Sequence, residues 1–278
     1  MVSHADNSSI IGLPLGSLIQ GRYRPIRELG RGPVSVVYLG QDHQQGDQVA
    51  IKVLELGASD RARARYDVMA VWELAHDHIV ATRACFEVGE LFCVVLDYIA
   101  GPDLGTRVQS NPLSPEESAA VGRGIALGLQ AAHRLGILHR HVTPGNILIG
   151  PEVQASLGDF GSAGYSRPGR QDQREDFLAP EVLAGQAADA RADLYGLGLS
   201  LYFAITGRLP DRQVPGRPPA AAADGHRPSL VRPTIPVWLD DAIARATAAL
   251  PADRFNSAGR LAEALTPQSV RSGAPALR

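Results

Sequence analysis

Short apolar runs broken by glycines dominate the first third of the chain. Two of them, "SVVYLGQD" and "QVAIKVLEL", are rich in β-branched residues and flank a polar turn that contains a glycine, which is typical of a β-hairpin. Two more strands are predicted in "HIVATRACFEV" and "LFCVVLDYI", on either side of a turn at Gly89. The segment "ASDRARARYDVMAVWELAH" precedes these strands and predicts a helix with Ser59 or Asp60 as its N-cap.

Longer helical segments replace the strands after "AGPDLG". The segment "SPEESAAVGRGIALGLQAAHRLG" predicts a long helix with Ser114 as its N-cap and Pro115 at its first position. Further helices are predicted over residues 189–206, 237–249 and 257–265. The pattern therefore indicates an α+β chain with a small β-rich lobe, about 19–97, and a larger helical lobe, about 102–266.

The two ends of the chain lack a regular pattern of apolar residues. Residues 1–18 are small, polar and non-periodic, so we expect a flexible N-terminus. The tail over residues 267–278 is also expected to be flexible. Residues 211–236 are rich in proline and alanine and have poor helix potential.

Composition places the chain among ordinary soluble globular proteins, with 45% apolar and 20% charged residues. The net charge of −2 gives no reason to expect a nucleic acid or an anionic membrane as a partner. The N-terminus has no basic region followed by an apolar one, as a signal peptide would. The longest apolar stretch, "GLGLSLYFAITG", is too short to span a bilayer, so we expect no membrane insertion.

The two cysteines, Cys85 and Cys93, lie symmetrically about Gly89 and could face each other across a hairpin. Two buried structural thiols are the favoured interpretation, because a metal site would need more ligands. We therefore expect a reducing, cytoplasmic compartment.

The chain contains a single lysine. Lys and Arg together number 27, and Lys52 is the only lysine among them. Codon bias explains the excess of arginine, but it does not explain why the one lysine falls in "VAIK".

Several short motifs follow one another in a fixed order. "GRGPVSVVY" lies between two predicted strands, and its glycines allow the backbone to approach a phosphate closely and expose its N–H groups. It is followed by "VAIK", "HRHVTPGN", "DFG" and "APE". Over about residues 20–266 this order resembles the eukaryotic-like Ser/Thr protein kinases of bacteria. The resemblance implies a bilobal protein-kinase fold with ATP and Mg²⁺ as its cofactors.

The resemblance also implies a set of nucleotide contacts. They are Gly30 and Gly32 in the phosphate loop, Val37, Ala50 and Leu148 on the faces of adenine, Lys52 on the α- and β-phosphates, and the backbone of Asp97 and Ile99 at the adenine edge. The family's third loop glycine is replaced here by Ser35, and Pro33 removes one backbone N–H from the loop.

An acidic partner for Lys52 is expected on the following helix, at Asp67. In a helix, Asp67, Val71 and Leu74 lie on one stripe, while Glu73 points well away from it. Aspartate is one methylene shorter than the glutamate of the family. The alternative is that Asp67 is a solvated helix charge.

Magnesium ligands are expected at Asn146 and Asp159. A carboxylate and an amide oxygen suit a hard cation that also bridges phosphates. The residues that handle the accepting hydroxyl are different from those of the family. His141 replaces the catalytic aspartate and Thr143 replaces the lysine that contacts the γ-phosphate. The threonine that bridges these two is also missing, where the chain reads "QRED".

His141 has two interpretations: a residual general base, or a spacer that hydrogen-bonds the catalytic loop, which we favour. Loss of all three residues predicts a pseudokinase, an ATP- and Mg²⁺-binding signalling module with an unidentified protein partner. The alternatives are an active Ser/Thr protein kinase, another transfer from ATP such as nucleotidyl transfer, and a scaffold that binds no nucleotide.

Other matches to the family are structural or regulatory. Glu181 and Arg254 match a buried ion pair, and Asp193 matches the aspartate that anchors the backbone of the catalytic loop. There is no threonine between "DFG" and "APE", where the hydroxyl side chains are Ser162, Tyr165 and Ser166.

Overall fold

The computed structural model describes residues 12–32, 35–160, 173–210 and 225–267, without the side chains of residues 173 and 174. The chain divides into two compact units. The described part of the first unit comprises the chain up to Glu73 together with Ala81–Tyr98. The second contains Leu74–Val80 and the described residues from Ile99 onward. Ser162, Tyr165 and Ser166 lie outside the described residues, as does the tail from residue 268.

The first unit is built on a five-stranded antiparallel sheet. Its strands are β1 (Tyr23–Arg31), β2 (Ser35–Asp42), β3 (Gln48–Glu55), β4 (Thr82–Val88) and β5 (Leu91–Asp97), in the spatial order β1-β2-β3-β5-β4. Both predicted hairpins are confirmed, as β2–β3 and as β4–β5. Gly89, in the second turn, has φ +59°, a conformation that glycine adopts without a steric cost.

Each face of this sheet packs against a different apolar cluster, because side chains alternate along a strand. On one face, Val49, Ile51 and Val53 of β3 are fully buried. The other face packs through Leu54 and neighbouring apolar residues against helix α1 (Ala58–Val71). The N-cap of α1 is Gly57, so the predicted cap at Ser59 or Asp60 is wrong.

The described chain before β1 is held more firmly than predicted. Leu13 is buried in the apolar core of the sheet, and its N–H donates to the hydroxyl of Tyr38 at 3.4 Å. The N–H of Gly16 donates to the carbonyl of Pro25 at 2.8 Å. The prediction that residues 1–18 are flexible is therefore wrong for the described residues from Leu13 onward, because the side chain of Leu13 is part of the core.

The two cysteines do not face each other. The β4–β5 hairpin has a two-residue turn, Gly89–Glu90, so its axis lies between these residues and not at Gly89. Cys85 consequently pairs with Val94, one residue beyond Cys93, which places the two thiols on opposite faces of the sheet. Both cysteines are free. Cys93 is buried, and burial raises its pKa to about 12, whereas Cys85 is half-buried.

The second unit is mainly helical. Its helices are α2 (Leu104–Ser110), α3 (Pro115–Arg134), α4 (Pro180–Leu183), α5 (Ala190–Thr206), α6 (Val237–Ala246) and α7 (Ala258–Ala264). Two short strands, β6 (Ile147–Ile149) and β7 (Ala155–Leu157), form an antiparallel pair. No helix in the described ranges is long and apolar enough to cross a membrane.

Helix α3 lies at the centre of the apolar core of this unit. Ser114 caps it as predicted, since its side chain accepts from the N–H of Glu117 and the Glu117 side chain accepts from the N–H of Ser114. Ile125 and Leu129 of α3 are fully buried in a cluster that also contains residues of α5, α6 and α7. One of these helices, α5, carries Asp193, which bonds the loop that contains "HRHVTPGN" (residues 139–146), called the catalytic loop below after the resemblance.

Candidate nucleotide-binding and catalytic residues

Three of the predicted nucleotide residues share one face of the sheet in the first unit. Lys52 pairs directly with Val37 across β2 and β3, and Ala50 lies two residues before Lys52 on the same strand. All three are half-buried, whereas the intervening residues of β3 are fully buried on the opposite face. The only lysine of the chain therefore lies on the same sheet face as the two residues predicted to contact adenine.

The glycine-containing loop has fewer free N–H groups than the family's pattern predicts. Gly30 pairs with Val37 across the first two strands. The N–H of Gly32 is already used, because it donates to the carbonyl of Ser35 at 2.8 Å. Pro33, whose structure is outside the described residues, has no N–H to offer. We expect this loop to hold phosphate less tightly than a loop with three glycines.

Asp67 lies on the expected side of α1. It is half-buried beside the buried stripe of Ala64 and Val68, whereas Glu73 is exposed. Its carboxylate lies 3.8 Å from the guanidinium of Arg63, one turn earlier. This orientation agrees with Asp67 as the acidic partner of Lys52, and the ion pair itself stays a prediction.

The end of β5 is fixed by an arginine that no motif in the sequence singles out. Arg83 forms an ion pair with the carboxylate of Asp97 and donates to Asp47 at 2.8 Å. The N–H of Asp97 donates to the carbonyl of Ala81 at 3.0 Å. The predicted contact of Asp97 with adenine would therefore have to use its carbonyl oxygen, because its N–H is already bonded.

The chain that leaves β5 is held close to β6 in the second unit. The carbonyl of Ile99 accepts a hydrogen bond from the N–H of Gly101 at 3.0 Å. The predicted contact of Ile99 with adenine would therefore use its N–H. A Cβ atom on Gly101 would lie 1.8 Å from the carbonyl oxygen of Ile149, so only glycine fits. Leu148 is half-buried at this point of β6.

The catalytic loop is anchored to α5 through Asp193, as predicted. One carboxylate oxygen accepts from the N–H of His139 at 2.9 Å, and the other accepts from the N–H of Arg140 at 2.6 Å. Arg140 has φ +64°, an unfavourable conformation for a residue with a side chain that these bonds help to hold. His133 of α3 also bonds Asp193, with 2.8 Å between Nε2 and Oδ2. The sequence did not predict this bond, because His133 lies near the end of a predicted helix and belongs to none of the motifs.

Two hydrogen bonds between His141 and Asn146 fix the orientation of the asparagine amide. Asn146 Nδ2 donates to the backbone carbonyl of His141 at 2.9 Å and lies 3.0 Å from Nδ1 of the His141 ring. A carbonyl oxygen can only accept, so the NH₂ end of the amide must face His141. The amide oxygen Oδ1 therefore points away, and no described residue donates a hydrogen bond to it.

The same contact determines which ring nitrogen of His141 carries the proton. Because the amide NH₂ of Asn146 only donates, Nδ1 of His141 must accept, and the neutral ring then carries its proton on Nε2. A ring in this state has no free lone pair with which to take a proton from an incoming hydroxyl. While Asn146 keeps this bond, the lone pair of Nδ1 is occupied by the amide N–H.

Asp159 and Thr143 complete this part of the second unit. Asp159 follows β7 with φ +68°, and the next residue, Phe160, packs edge-on against the ring of His139 with 4.5 Å between centroids. Thr143 is buried, and its carbonyl accepts from the N–H of Asn146 at 3.0 Å. A threonine side chain is too short to reach as far as the lysine that it replaces.

The oxygen donors Asn146 and Asp159 fit a magnesium ion that is held jointly with a nucleotide. Within the described residues, no group of three or more His, Cys, Asp or Glu side chains could hold a metal ion alone. Magnesium commonly binds through one or two carboxylates plus substrate phosphates. The free Oδ1 of Asn146 agrees with such a site, since its orientation is fixed by His141 and it has no other described donor.

A cavity of about 520 Å³ lies in the second unit beside the catalytic loop. Its lining residues include His141, Thr143, Asp103, Asp176 and Phe177. The cavity has room for a side chain of a polypeptide next to the loop.

The predicted pair of Glu181 and Arg254 is confirmed. The guanidinium donates to both carboxylate oxygens at 2.7 Å, and the arginine side chain is 0% exposed. It also donates to the carbonyl of Ala248 at 2.8 Å and lies over the ring of Tyr195 at 4.8 Å. The pair therefore joins the segment that contains "APE" to α5 and to the chain before α7.

Residues 23–224 match the protein kinase domain as a family. The chain belongs to the protein kinase family. It is 35% identical to "Serine/threonine-protein kinase PknD" of Mycobacterium tuberculosis over 277 residues, which cover 93% of this chain and 42% of PknD. It is 34% identical to "Serine/threonine-protein kinase PknE" of the same species over 259 residues, which cover 88% of this chain and 45% of PknE.

A solved structure shows the same protein kinase fold. The crystal structure of the Mycobacterium tuberculosis PknI kinase domain, solved as a cysteine-to-alanine mutant, matches with a TM-score of 0.74 and 29% sequence identity, over 94% of this chain and 100% of that one. The α+β fold predicted from the sequence is confirmed, with its five-stranded sheet and helix followed by a helical part. A protein kinase domain in general implies binding of ATP and Mg²⁺. The chain spans less than half the length of the curated relatives that it matches.

Proposed function

We propose that this protein kinase domain binds ATP with Mg²⁺ but transfers the γ-phosphate to protein hydroxyls inefficiently or not at all. In this proposal it is a pseudokinase whose nucleotide-bound state binds a protein partner. The observation that carries the proposal is the bond from Asn146 to Nδ1 of His141. It occupies the lone pair that a general base would need.

The residues proposed to hold the nucleotide are retained. Lys52 would contact the phosphates, while Asn146 and Asp159 would hold the metal ion through oxygen atoms. When bound, magnesium neutralises charge on the phosphate oxygens. The chain's own residues orient the nucleotide, and the expected affinity is limited by the loop in which the N–H of Gly32 is already used.

The residues that would serve the accepting hydroxyl are missing together. Loss of a general base costs roughly 10²–10⁴-fold in rate. Replacement of the γ-phosphate lysine by Thr143 removes electrostatic stabilisation of the transition state as well. These losses act on transfer and not on nucleotide binding, so the two activities are expected to be separable.

The second candidate is an active Ser/Thr protein kinase. Its support is the retention of Lys52, Asn146 and Asp159 together with the similarity to PknD and PknE, which are named as serine/threonine kinases. In this alternative, Asn146 releases Nδ1 of His141 during turnover, and the ring then accepts the proton.

Radiolabelled ATP with magnesium distinguishes the two candidates. We expect ATP and magnesium together to raise the melting temperature, because a ligand that binds only the folded state stabilises it. Label transfer to the chain itself or to generic basic proteins should stay at background. Robust turnover that is lost in His141→Ala would contradict the proposal and establish the active kinase. Following each phosphate separately would also reveal nucleotidyl transfer.

The proposal also places the protein in the cytoplasm and gives it a protein partner whose identity is to be found. Cell fractionation tests the first, and a comparison of proteins captured with and without ATP and magnesium tests the second.

A further inference from the structure

We propose that His141 is a positioning residue that holds the amide oxygen of Asn146 in the direction needed for metal binding. This inference rests on the proposed function, since it concerns the magnesium ion that accompanies ATP. It assigns His141 a role that does not require the ring to accept a proton from a substrate.

The geometry requires the amide to have one orientation. Both hydrogens of the Asn146 NH₂ group are used by a single residue, one by the carbonyl of His141 at 2.9 Å and the other by its ring Nδ1 at 3.0 Å. If the amide turned over, its oxygen would face the carbonyl of His141, which can only accept, and the ring could bond that oxygen only after its proton moved from Nε2 to Nδ1. The turned-over amide would also present NH₂, which cannot bind a cation, where Oδ1 now lies.

The backbone contact alone does not give the same control. The carbonyl of His141 fixes one N–H, but the side chain of Asn146 can still rotate about that bond. The second contact, to the ring, removes this freedom. The backbone N–H of His141 lies 3.2 Å from Nδ1 of the His139 ring, and that ring lies 2.8 Å from the carbonyl of Gly158 through Nε2. The support for His141 thus extends to the residue before Asp159.

A side chain at position 141 must therefore offer an acceptor toward Asn146. Histidine does so without bringing a negative charge beside the metal ion. Aspartate offers an acceptor as well, so a His141→Asp variant should keep the amide orientation. Phenylalanine has a ring of similar size but no acceptor, which makes His141→Phe the informative change and His141→Asp its matched control.

The first measurement is metal affinity in the presence of ATP, with Mn²⁺ as the probe and electron paramagnetic resonance as the readout. Loss of a residue that orients a metal ligand typically lowers metal affinity by about 10–100-fold. We expect a weakening in this range for His141→Phe, and an affinity equal to or tighter than wild type for His141→Asp. ATP binding without metal, measured in EDTA, should be the same in all three proteins.

The second measurement observes the amide directly and needs no metal. The side-chain NH₂ signals of Asn146 in a ¹⁵N–¹H spectrum are identified by their absence in Asn146→Ala. In wild type and His141→Asp they should be shifted from free amide positions and exchange slowly with solvent. In His141→Phe they should move toward free amide positions. If His141→Phe does not fold, His141→Leu replaces it.

The outcomes separate the two proposals. If wild type shows no metal-dependent nucleotide binding, the proposed function is wrong, whatever the amide signals show. If wild type binds Mn²⁺ with ATP and His141→Phe binds it equally well, the positioning role is wrong while the proposed function stands. Unchanged amide signals in His141→Phe also overturn the positioning role.

Discussion

At the scale of single residues, the residues proposed to hold a nucleotide differ in their contacts from the residue at the position of the family's base. Lys52 lies on the same face of the sheet as Val37 and Ala50, and no described residue donates to the amide oxygen of Asn146. In His141, by contrast, the lone pair of the ring nitrogen Nδ1 accepts a hydrogen bond from the Asn146 amide. The sequence identified all three positions through motifs. It could not show the contact between His141 and Asn146, because the intervening residues must first fold into the loop.

Replacement of Lys52 by arginine tests the nucleotide contact. Arginine keeps the charge, but its planar, bulkier head does not fit a tight phosphate site in the same way. Lys52→Arg should weaken ATP binding by about tenfold or more, as expected when a charged hydrogen bond worth about 1.5–3 kcal/mol is lost. Calorimetric titration measures the change, and Arg24→Lys, on an exposed position of β1, is the control. Equal ATP affinity in Lys52→Arg and wild type would refute the assignment.

Removal of Arg254 tests the buried ion pair. The Arg254→Ala variant leaves Glu181 buried without its partner, which costs about 3–5 kcal/mol. Arg260→Ala is the matched control, because its pair with Glu263 is formed by side chains that are 67% and 64% exposed. Such surface pairs contribute about 0–1 kcal/mol. Denaturant unfolding should show the large decrease in the free energy of unfolding for Arg254→Ala and not for Arg260→Ala. Similar decreases in the two variants would contradict a structural role for the Glu181–Arg254 pair.

At the scale of elements, the sequence predicted strands and long helices better than short ones. Runs of β-branched residues located both hairpins, and the cap at Ser114 located the start of α3. Helix α2 was missed, whereas α7, which also has seven residues, was predicted. Asp103, whose side chain accepts from the N–H of Thr106, was the available signal.

The expected alignment of Cys85 with Cys93 across the hairpin shows a second reason for a wrong prediction at this scale. A count from Gly89 treats one residue as the centre of the hairpin, but a two-residue turn has its centre between residues. A shift of one residue moves a side chain to the opposite face of the sheet. Register therefore depends on the turn type, which composition alone does not reveal.

Helix α5 is expected to control the catalytic loop through close packing at Gly196. A Cβ atom there would lie 2.7 Å from the carbonyl oxygen of Val142, next to His141. Gly196→Ala should therefore displace the loop and lower the free energy of unfolding by about 1–3 kcal/mol, as overpacking does. The stabilisation by ATP that depends on magnesium should fall as well, which scanning fluorimetry measures.

Gly57 provides the control for this change. It has φ −61°, and a Cβ atom there would have no neighbour within 4 Å. Gly57→Ala should keep both stability and the magnesium-dependent shift close to wild type. If Gly196→Ala behaves like Gly57→Ala, α5 does not constrain the loop in the way that we infer.

At the scale of the whole molecule, the protein kinase fold is retained although three residues of the family's catalytic pattern are replaced or missing. The buried Glu181–Arg254 pair, the anchor at Asp193 and the apolar core do not depend on phosphoryl transfer. They are needed for any function that this fold supports, including binding alone. The fold could therefore be predicted from the order of the motifs, whereas the nucleotide-binding residues stay predictions. The catalytic outcome depends on how several altered residues act together.

Stepwise restoration of the family's residues tests whether the proposed loss of transfer rests on one position or on several. His141→Asp alone should leave phosphotransfer at background, because Thr143 and the missing threonine still remove charge stabilisation from the transition state. His141→Asp combined with Thr143→Lys should raise the rate measurably above His141→Asp, since it returns a base and a cation together. Adding Asp159→Ala to this double variant should return the rate to background and serves as the control. Incorporation of label from ATP into a generic basic protein measures each step. Full recovery by His141→Asp alone would show that position 141 was the only obstacle, contrary to the combined loss argued above.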